Sequence, residues 1–201
     1  MVEGSWIFPK GTIGSITQFN RRIATPGTRW FYASIEPDMR GVMLRYALKK
    51  SASAYLQEKV WGPIGAASDA AWLLDAEGIE LSHFGFNAVL RDYARLGRLL
   101  AHDGARQGHQ IIPAQWVIDA TTVRLSNAYL APGRTRPGSA GYGYLLWLLP
   151  GTRRQFAMIG ILGQYVFIDP PSKLVMVETA VNNTAEVCRL WASLLAQLGH
   201  A

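Results

Sequence analysis

Tyr32 and Ser34 close the run Pro26-Gly27-Thr28-Arg29-Trp30-Phe31-Tyr32-Ala33-Ser34, and the two side chains suit acyl transfer. A phenol beside a serine nucleophile can take its proton and later return one to the leaving group. A neutral phenol, with a pKa near about 10, is a poor base unless cations or hydrogen bonds stabilise its phenolate. A lysine next to the nucleophile is one such source, which couples a Ser-x-x-Lys element to a Tyr-x-Asn/Ser element. Only the second element is present here. No serine in the sequence has a lysine three residues on, and none sits in a Gly-x-Ser-x-Gly turn. By itself, Tyr-x-Ser reads equally well as a core tyrosine ahead of a helix cap.

The other reactive side chains do not complete a site. His83, His102, His109 and His200 show no His-x-x-x-His or Cys/His spacing, so no metal and no cofactor is expected. Cys188 falls in an apolar helical pattern and is expected to pack as a small apolar residue. Asp92, Glu178 and Glu186 read as surface or ion-pair carboxylates. Most tryptophans, including Trp72 and Trp147, suit packing; Trp30 and Phe31 flank Tyr32 and suit a substrate pocket.

The 201-residue chain is 49% hydrophobic and 17% charged, enough apolar material for a folded domain. One cysteine precludes an intrachain disulfide, and the start from Met1 has no basic region leading into a long apolar run. Both features favour a cytoplasmic location. No apolar run approaches the roughly 18–20 residues of a spanning helix, so no membrane anchor is expected. The net charge of +6 and the arginines at 124, 134, 136, 153 and 154 raise the question of a phosphate-binding patch. No base-reading module accompanies them, so a solvated loop is the better reading and no nucleic-acid partner is expected.

An α+β fold class follows from the patterning, as a single domain over 1–201. Residues of about 32–123 are mainly helical, and those of about 142–201 form antiparallel strands and a C-terminal helix. Ile35, Met39, Val42, Met43 and Tyr46 have helical spacing, with Ser34 as N-cap and Pro37 in the first turn. A second helix runs from about Ser53 to Val60 and stops at Gly62-Pro63. Trp72-Leu73-Leu74 enters a turn at Asp75-Ala76-Glu77-Gly78. An amphipathic helix starts at an Asn87 cap and buries Leu90, Tyr93, Ala94, Leu96, Gly97 and Leu100. Pro113 opens another through Ile118. Strands are predicted at Tyr144–Leu149, Gln155–Ile161, Tyr165–Ile168 and Leu174–Thr179, joined by short turns into a meander. A last helix, Thr184–Leu198, presents Val187, Leu190, Trp191, Leu194, Leu195 and Leu198 to one side of that sheet.

Several segments, in order, resemble the serine β-lactamase-related superfamily, in particular class C β-lactamases, their esterase relatives and 6-aminohexanoate-dimer hydrolases. They are Pro26-Gly27-Thr28 leading to Tyr32-Ala33-Ser34, then Trp61-Gly62-Pro63-Ile64-Gly65, and then Gly85-Phe86-Asn87 through Arg91-Asp92-Tyr93-Ala94-Arg95-Leu96-Gly97. Ile111-Ile112-Pro113, Trp116 and Gly163-Gln164-Tyr165-Val166-Phe167-Ile168-Asp169-Pro170 follow. The resemblance covers about residue 24 to the end and implies the later part of a β-lactamase-like fold, amino-terminally truncated. It implies a serine hydrolase of small amide, ester or lactam substrates. Tyr32 would be base and then acid; Ser34, Trp30, Gly163, Gln164 and Val166 would orient substrate or its oxyanion. The third motif, usually Lys-Thr-Gly or His-x-Gly, reads Leu162-Gly163-Gln164. An apolar side chain thus stands where a cation or imidazole would grip a carboxylate. Without the Ser-x-x-Lys segment the chain is expected to be inactive alone, the alternative being a non-catalytic relative that binds a ligand or partner. Loss of the family's amino-terminal strands would also leave a sheet edge beside the last strand open to self-association.

Overall fold

Short apolar runs separated by tight turns bring five strands into one antiparallel meander in sequential order. The computed structural model describes residues 11–22, 24, 25, 28, 30–123, 140–181 and 183–199. The chain divides into two compact units, one of residues 1–63 and 68–88, the other of 64–67 and 89–201.

In the second unit the meander comprises β5 (Gly141–Gly143), β6 (Leu146–Leu148), β7 (Phe156–Ile159), β8 (Tyr165–Asp169) and β9 (Leu174–Glu178). Alternation along the strands gives the sheet two apolar faces. Leu146, Leu148, Phe156, Val166 and Ile168 pack with Leu100 and Ala101 of one helix and Val117 and Ala120 of another. These helices are α4 (Leu90–Ala101) and α5 (Ala114–Thr121). Ala157, Tyr165 and Phe167 face the other way, onto Val187, Trp191 and Leu195 of α6 (Thr184–Gln197). Phe167 stacks between Tyr165 and Trp191, with ring centroids 5.2 and 5.4 Å away. Asn183 caps α6 by accepting the Ala185 N–H at 2.9 Å. A small hairpin, β3 (Ala105–Arg106) with β4 (His109–Gln110), separates α4 from α5.

The first unit holds α1 (Gly11–Ile16), α2 (Ile35–Leu48), α3 (Ala52–Leu56), which runs on into a π-helical turn over Gln57–Trp61, and the strand pair β1 (Ala71–Trp72) and β2 (Phe86–Asn87). Phe86 takes Trp61 and Trp72 edge-on at 5.3 and 5.2 Å. The predicted turn after β1 forms around Asp75. Its carboxylate accepts the N–H groups of Glu77, Ile79 and Thr12, each within 2.9 Å.

Four local expectations are corrected. Asn87 lies in β2 and does not cap α4; the helix starts after Val89, and the Asn87 amide donates to Gly85 O at 2.8 Å. Leu90, in the first turn of α4, is exposed, whereas Asp92 is fully buried. On α2 the apolar residues Met39, Met43 and Tyr46 are exposed and Asp38 is buried instead. The predicted strand at Tyr144–Leu149 is the second arm of a hairpin whose tip is Tyr144-Leu145 and whose first arm, β5, was not anticipated.

Candidate active site

Tyr32, Trp30 and Ser34 belong to the first unit. Tyr32 is 54% exposed and its ring lies 6.2 Å from that of Trp30. Ser34 occupies the N-cap position of α2, as expected, but with αR backbone angles (φ −60°, ψ −28°) and no capping bond from its side chain. N-cap residues ordinarily sit in the β region, where the hydroxyl reaches back to the helix N–H groups. Here the Glu36 N–H instead donates to Ala33 O at 3.2 Å, and the Ser34 hydroxyl is not consumed by the helix end.

The start of α2, just beyond Tyr32 and Ser34, is fixed from below. Asp38, 1% exposed, lies 2.7 Å from His83 Nδ1 and accepts the His83 N–H at 3.2 Å. Gly41, one turn on, packs against Ser82 so closely that a Cβ would fall 1.9 Å from its hydroxyl. Farther along α2, Arg45 approaches Glu80 at 3.4 Å. Burial pushes the Glu80 carboxyl up, but hydrogen bonds from the Ser53 hydroxyl at 2.6 Å and N–H at 3.1 Å outweigh it and hold the group below its ordinary value.

Gly163, Gln164 and Val166 belong to the second unit. The Leu162-Gly163-Gln164 motif is not part of a strand. It forms a tight turn between β7 and β8, closed by the Gly160 N–H donating to Gln164 O at 2.8 Å. Leu162 has φ 58° and is 67% exposed, while Gly163 is buried at φ 89°. The Gln164 amide donates to Ala180 O at 3.3 Å. Val166 sits inside β8 between β7 and β9, opposite Met158 and Val177, so its main chain belongs to the ladder and its side chain to the core.

Sequence reasoning missed a second feature at this end of the sheet. Tyr144 and Leu145 form a two-residue hairpin tip with φ 45° and 75°. Such tips usually use Asn-Gly, because both positions need the left-handed region. Bulky L-residues there cost on the order of 1–2 kcal/mol each. Tyr144 is nonetheless 58% exposed, its ring 5.5 Å from that of Trp116. The missing Asn-Gly signature is why the turn read as strand.

The remaining candidates are structural. Asp92 accepts the Ala67 N–H at 2.9 Å and Arg95 at 2.6 Å. Arg153 pairs with Asp169 at 2.5 Å, and Arg154 with Asp103 at 2.6 Å and Thr121 at 3.0 Å. Arg124, Arg134 and Arg136 lie outside the described residues, as do Pro26, Gly27 and Arg29. Cys188 is exposed on α6 and does not pack inward as expected. Burial, with Lys173 and Arg98 nearby, lowers the His102 pKa. Among the described residues no three His, Cys, Asp or Glu side chains converge on a metal-sized site, and no helix is long and apolar enough to cross a membrane.

A mixed helical and antiparallel-sheet architecture carrying these motifs in this order defines a serine β-lactamase-like fold. The Beta-lactamase family model matches residues 18–184, and the chain belongs to that family. It is 29% identical over 136 residues to the 6-aminohexanoate-dimer hydrolase of Paenarthrobacter ureafaciens, covering 67% of this chain and 33% of that protein. A solved structure assigned as a 6-aminohexanoate-dimer hydrolase from Bacillus anthracis superposes with a TM-score of 0.76 at 28% identity, over 90% of this chain and 46% of that one. The octameric penicillin-binding protein homologue from Pyrococcus abyssi shares the fold, with a TM-score of 0.67 at 19% identity over 94% of this chain and 48% of its own. The chain thus spans between a third and a half of the length of these relatives.

Proposed function

We propose that this chain supplies the tyrosine half of a serine hydrolase site acting on amide, ester or lactam bonds. Tyr32 is the proton shuttle. In the reaction a serine hydroxyl attacks the carbonyl, its proton passes to the Tyr32 oxygen, and Tyr32 returns it to the departing amine or alkoxide. Water then cleaves the acyl-enzyme with Tyr32 again as base. Within the first unit the Ser34 hydroxyl orients the substrate; within the second, the main chain of the Gly163-Gln164 turn gives substrate orientation through a main-chain donor. The observation that carries this reading is Tyr32 itself: a half-exposed phenol beside Trp30, directly ahead of a helix start tied down by Asp38 and His83, within a family match that spans it.

Because no serine in the sequence has a lysine three residues on, we assign no turnover to this chain alone. The test is complementation. The chain is mixed with a polypeptide chosen to carry a Ser-x-x-Lys segment of the kind the family resemblance implies, and hydrolysis of a nitrophenyl ester and of a linear 6-aminohexanoate dimer is followed. Activity that needs both polypeptides and vanishes with Tyr32→Phe supports the assignment. Activity of this chain alone, indifferent to Tyr32→Phe, removes it.

A further inference from the structure

The two turns at one end of the sheet combine an unfavourable backbone with outward apolar side chains. Tyr144 and Leu145 (φ 45° and 75°) and Leu162 (φ 58°) all lie in the left-handed region, and all three are exposed, as is Ile161 beside Leu162. Asn or Gly at these positions would relieve the backbone and remove apolar surface from water together. In a meander, the β5–β6 and β7–β8 turns fall at the same end of the sheet. Register brings them close: Trp147 pairs with Ala157 and Leu148 with Phe156, so the two turns leave neighbouring strands, whose spacing in a sheet is about 4.8 Å. Trp116 extends the surface through its ring contact with Tyr144. Neither turn, Gly143 to Leu146 or Gly160 to Gln164, contains a charged residue.

We propose that Tyr144, Leu145, Ile161 and Leu162, with Trp116, form an apolar rim that receives an uncharged alkyl or aryl acyl chain and discriminates against carboxylate-bearing substrates. The inference rests on the hydrolase reading, because the rim adjoins the Gly163-Gln164 turn to which that reading gives substrate orientation. It narrows the substrate class to neutral esters and amides with an apolar acyl group. A carboxylate on that group would lose water here and meet no cation on either turn. Left-handed backbone at apolar, exposed positions is a local conflict of the kind that marks binding sites.

The test is ligand binding by the intact chain, which needs no turnover. N-butylhexanamide and the anion of its chain-end carboxy analogue, N-butyladipamate, are titrated against ¹⁵N-labelled protein, following the Trp116 indole N–H assigned with Trp116→Phe. The amide is expected to give a saturable shift, and the adipamate anion to bind at least about tenfold more weakly. Leu145→Asn and Leu162→Asn are each expected to weaken the amide about tenfold while leaving the melting temperature equal or higher, because Asn tolerates the left-handed region. Equal affinity for amide and anion, unchanged affinity in both Asn variants, or no amide binding at millimolar concentration overturns the rim. So does concentration-dependent self-association abolished by the same variants, which would make the surface a contact between copies. Amide binding that persists when complementation by the Ser-x-x-Lys polypeptide fails leaves the rim standing and removes the hydrolase assignment alone.

Discussion

Gly97 of α4 sits so close to Val175 of β9 that a methyl group on its Cα would fall 2.6 Å from a Val175 methyl. The same methyl would lie 3.0 Å from Val166 on the neighbouring strand. The helix therefore rests on the sheet through its own backbone at this point, and glycine is required by distance. Gly97→Ala gains helix propensity, yet overpacking costs about 1–3 kcal/mol and decides the sign. Urea unfolding should place the midpoint of Gly97→Ala below that of the parent. A compensating Val175→Ala should recover part of the loss, since the contacting atoms belong to one side chain.

Gly143, at the end of β5, makes a stricter demand. A Cβ there would lie 2.2 Å from the main-chain oxygen of Ala120 in α5, and a backbone oxygen cannot swing aside as a valine methyl can. Gly143→Ala is expected to cost about 3 kcal/mol or more, because α5 must lift from the sheet edge. Thermal melts of the two alanine variants should rank Gly143→Ala below Gly97→Ala. The reverse order would mean that α5 is loosely seated.

These contacts mark where the sequence was legible. The periodicity of Tyr93, Leu96, Gly97 and Leu100 announced α4, and the runs at Gln155–Ile161, Tyr165–Ile168 and Leu174–Thr179 announced β7 to β9, because burial on regular elements leaves a period. The seat of α6 on one side of the sheet followed from its own apolar stripe. The buried face of α2 was hidden because its innermost residue is Asp38, a carboxylate held inside beside His83. That pairing crosses 45 positions and leaves no local pattern. The β5–β6 tip was hidden for the opposite reason: Tyr144 and Leu145 carry a strand signature on a left-handed turn. For the candidate site, Tyr32 and Ser34 were legible as a motif. The setting of Val166 between two neighbouring strands depended on strand order, which a short motif does not contain.

Stability should fall steeply in acid. Asp169, fully buried, experiences burial that raises its pKa, but Arg153 and the Ser172 hydroxyl and N–H outweigh this and hold it below the ordinary value. Asp75 and Glu80 are lowered in the same sense, by the N–H groups of Ile79 and Thr12 and by Ser53. With folded pKa values depressed, the unfolded chain binds more protons, so stability rises with pH through this range. The contribution of each carboxylate is complete above its unfolded pKa, about 3.9 for Asp and 4.3 for Glu, and disappears as pH falls through the lower folded value. Urea midpoints measured from pH 7 to pH 2 should stay level down to about pH 5 and then drop. Asp169→Asn should flatten part of that acid limb while lowering the plateau, since Arg153 would lose its partner. An acid limb identical to the parent's would show that Asp169 titrates normally.

Tyr32→Phe separates chemistry from architecture. The ring is half exposed and lies tilted at 37° to that of Trp30, a ring pair that phenylalanine retains. The substitution removes one hydroxyl from a half-exposed ring, and its cost is expected to stay near the roughly 1 kcal/mol of a single hydrogen bond. The melting temperature and urea midpoint should therefore stay close to those of the parent. Complemented hydrolysis should fall by about a hundredfold or more, the usual contribution of a positioned general acid–base. His83→Ala provides the contrast. It strands the buried Asp38 carboxylate beneath the start of α2, so it should lower stability by about 3 kcal/mol and reduce activity only through the fraction unfolded. At a temperature where both variants remain folded, Tyr32→Phe should lose activity without stability, and His83→Ala stability with most of its activity. If both variants lost activity in proportion to stability, Tyr32 would be a packing residue and its role as proton shuttle would fall.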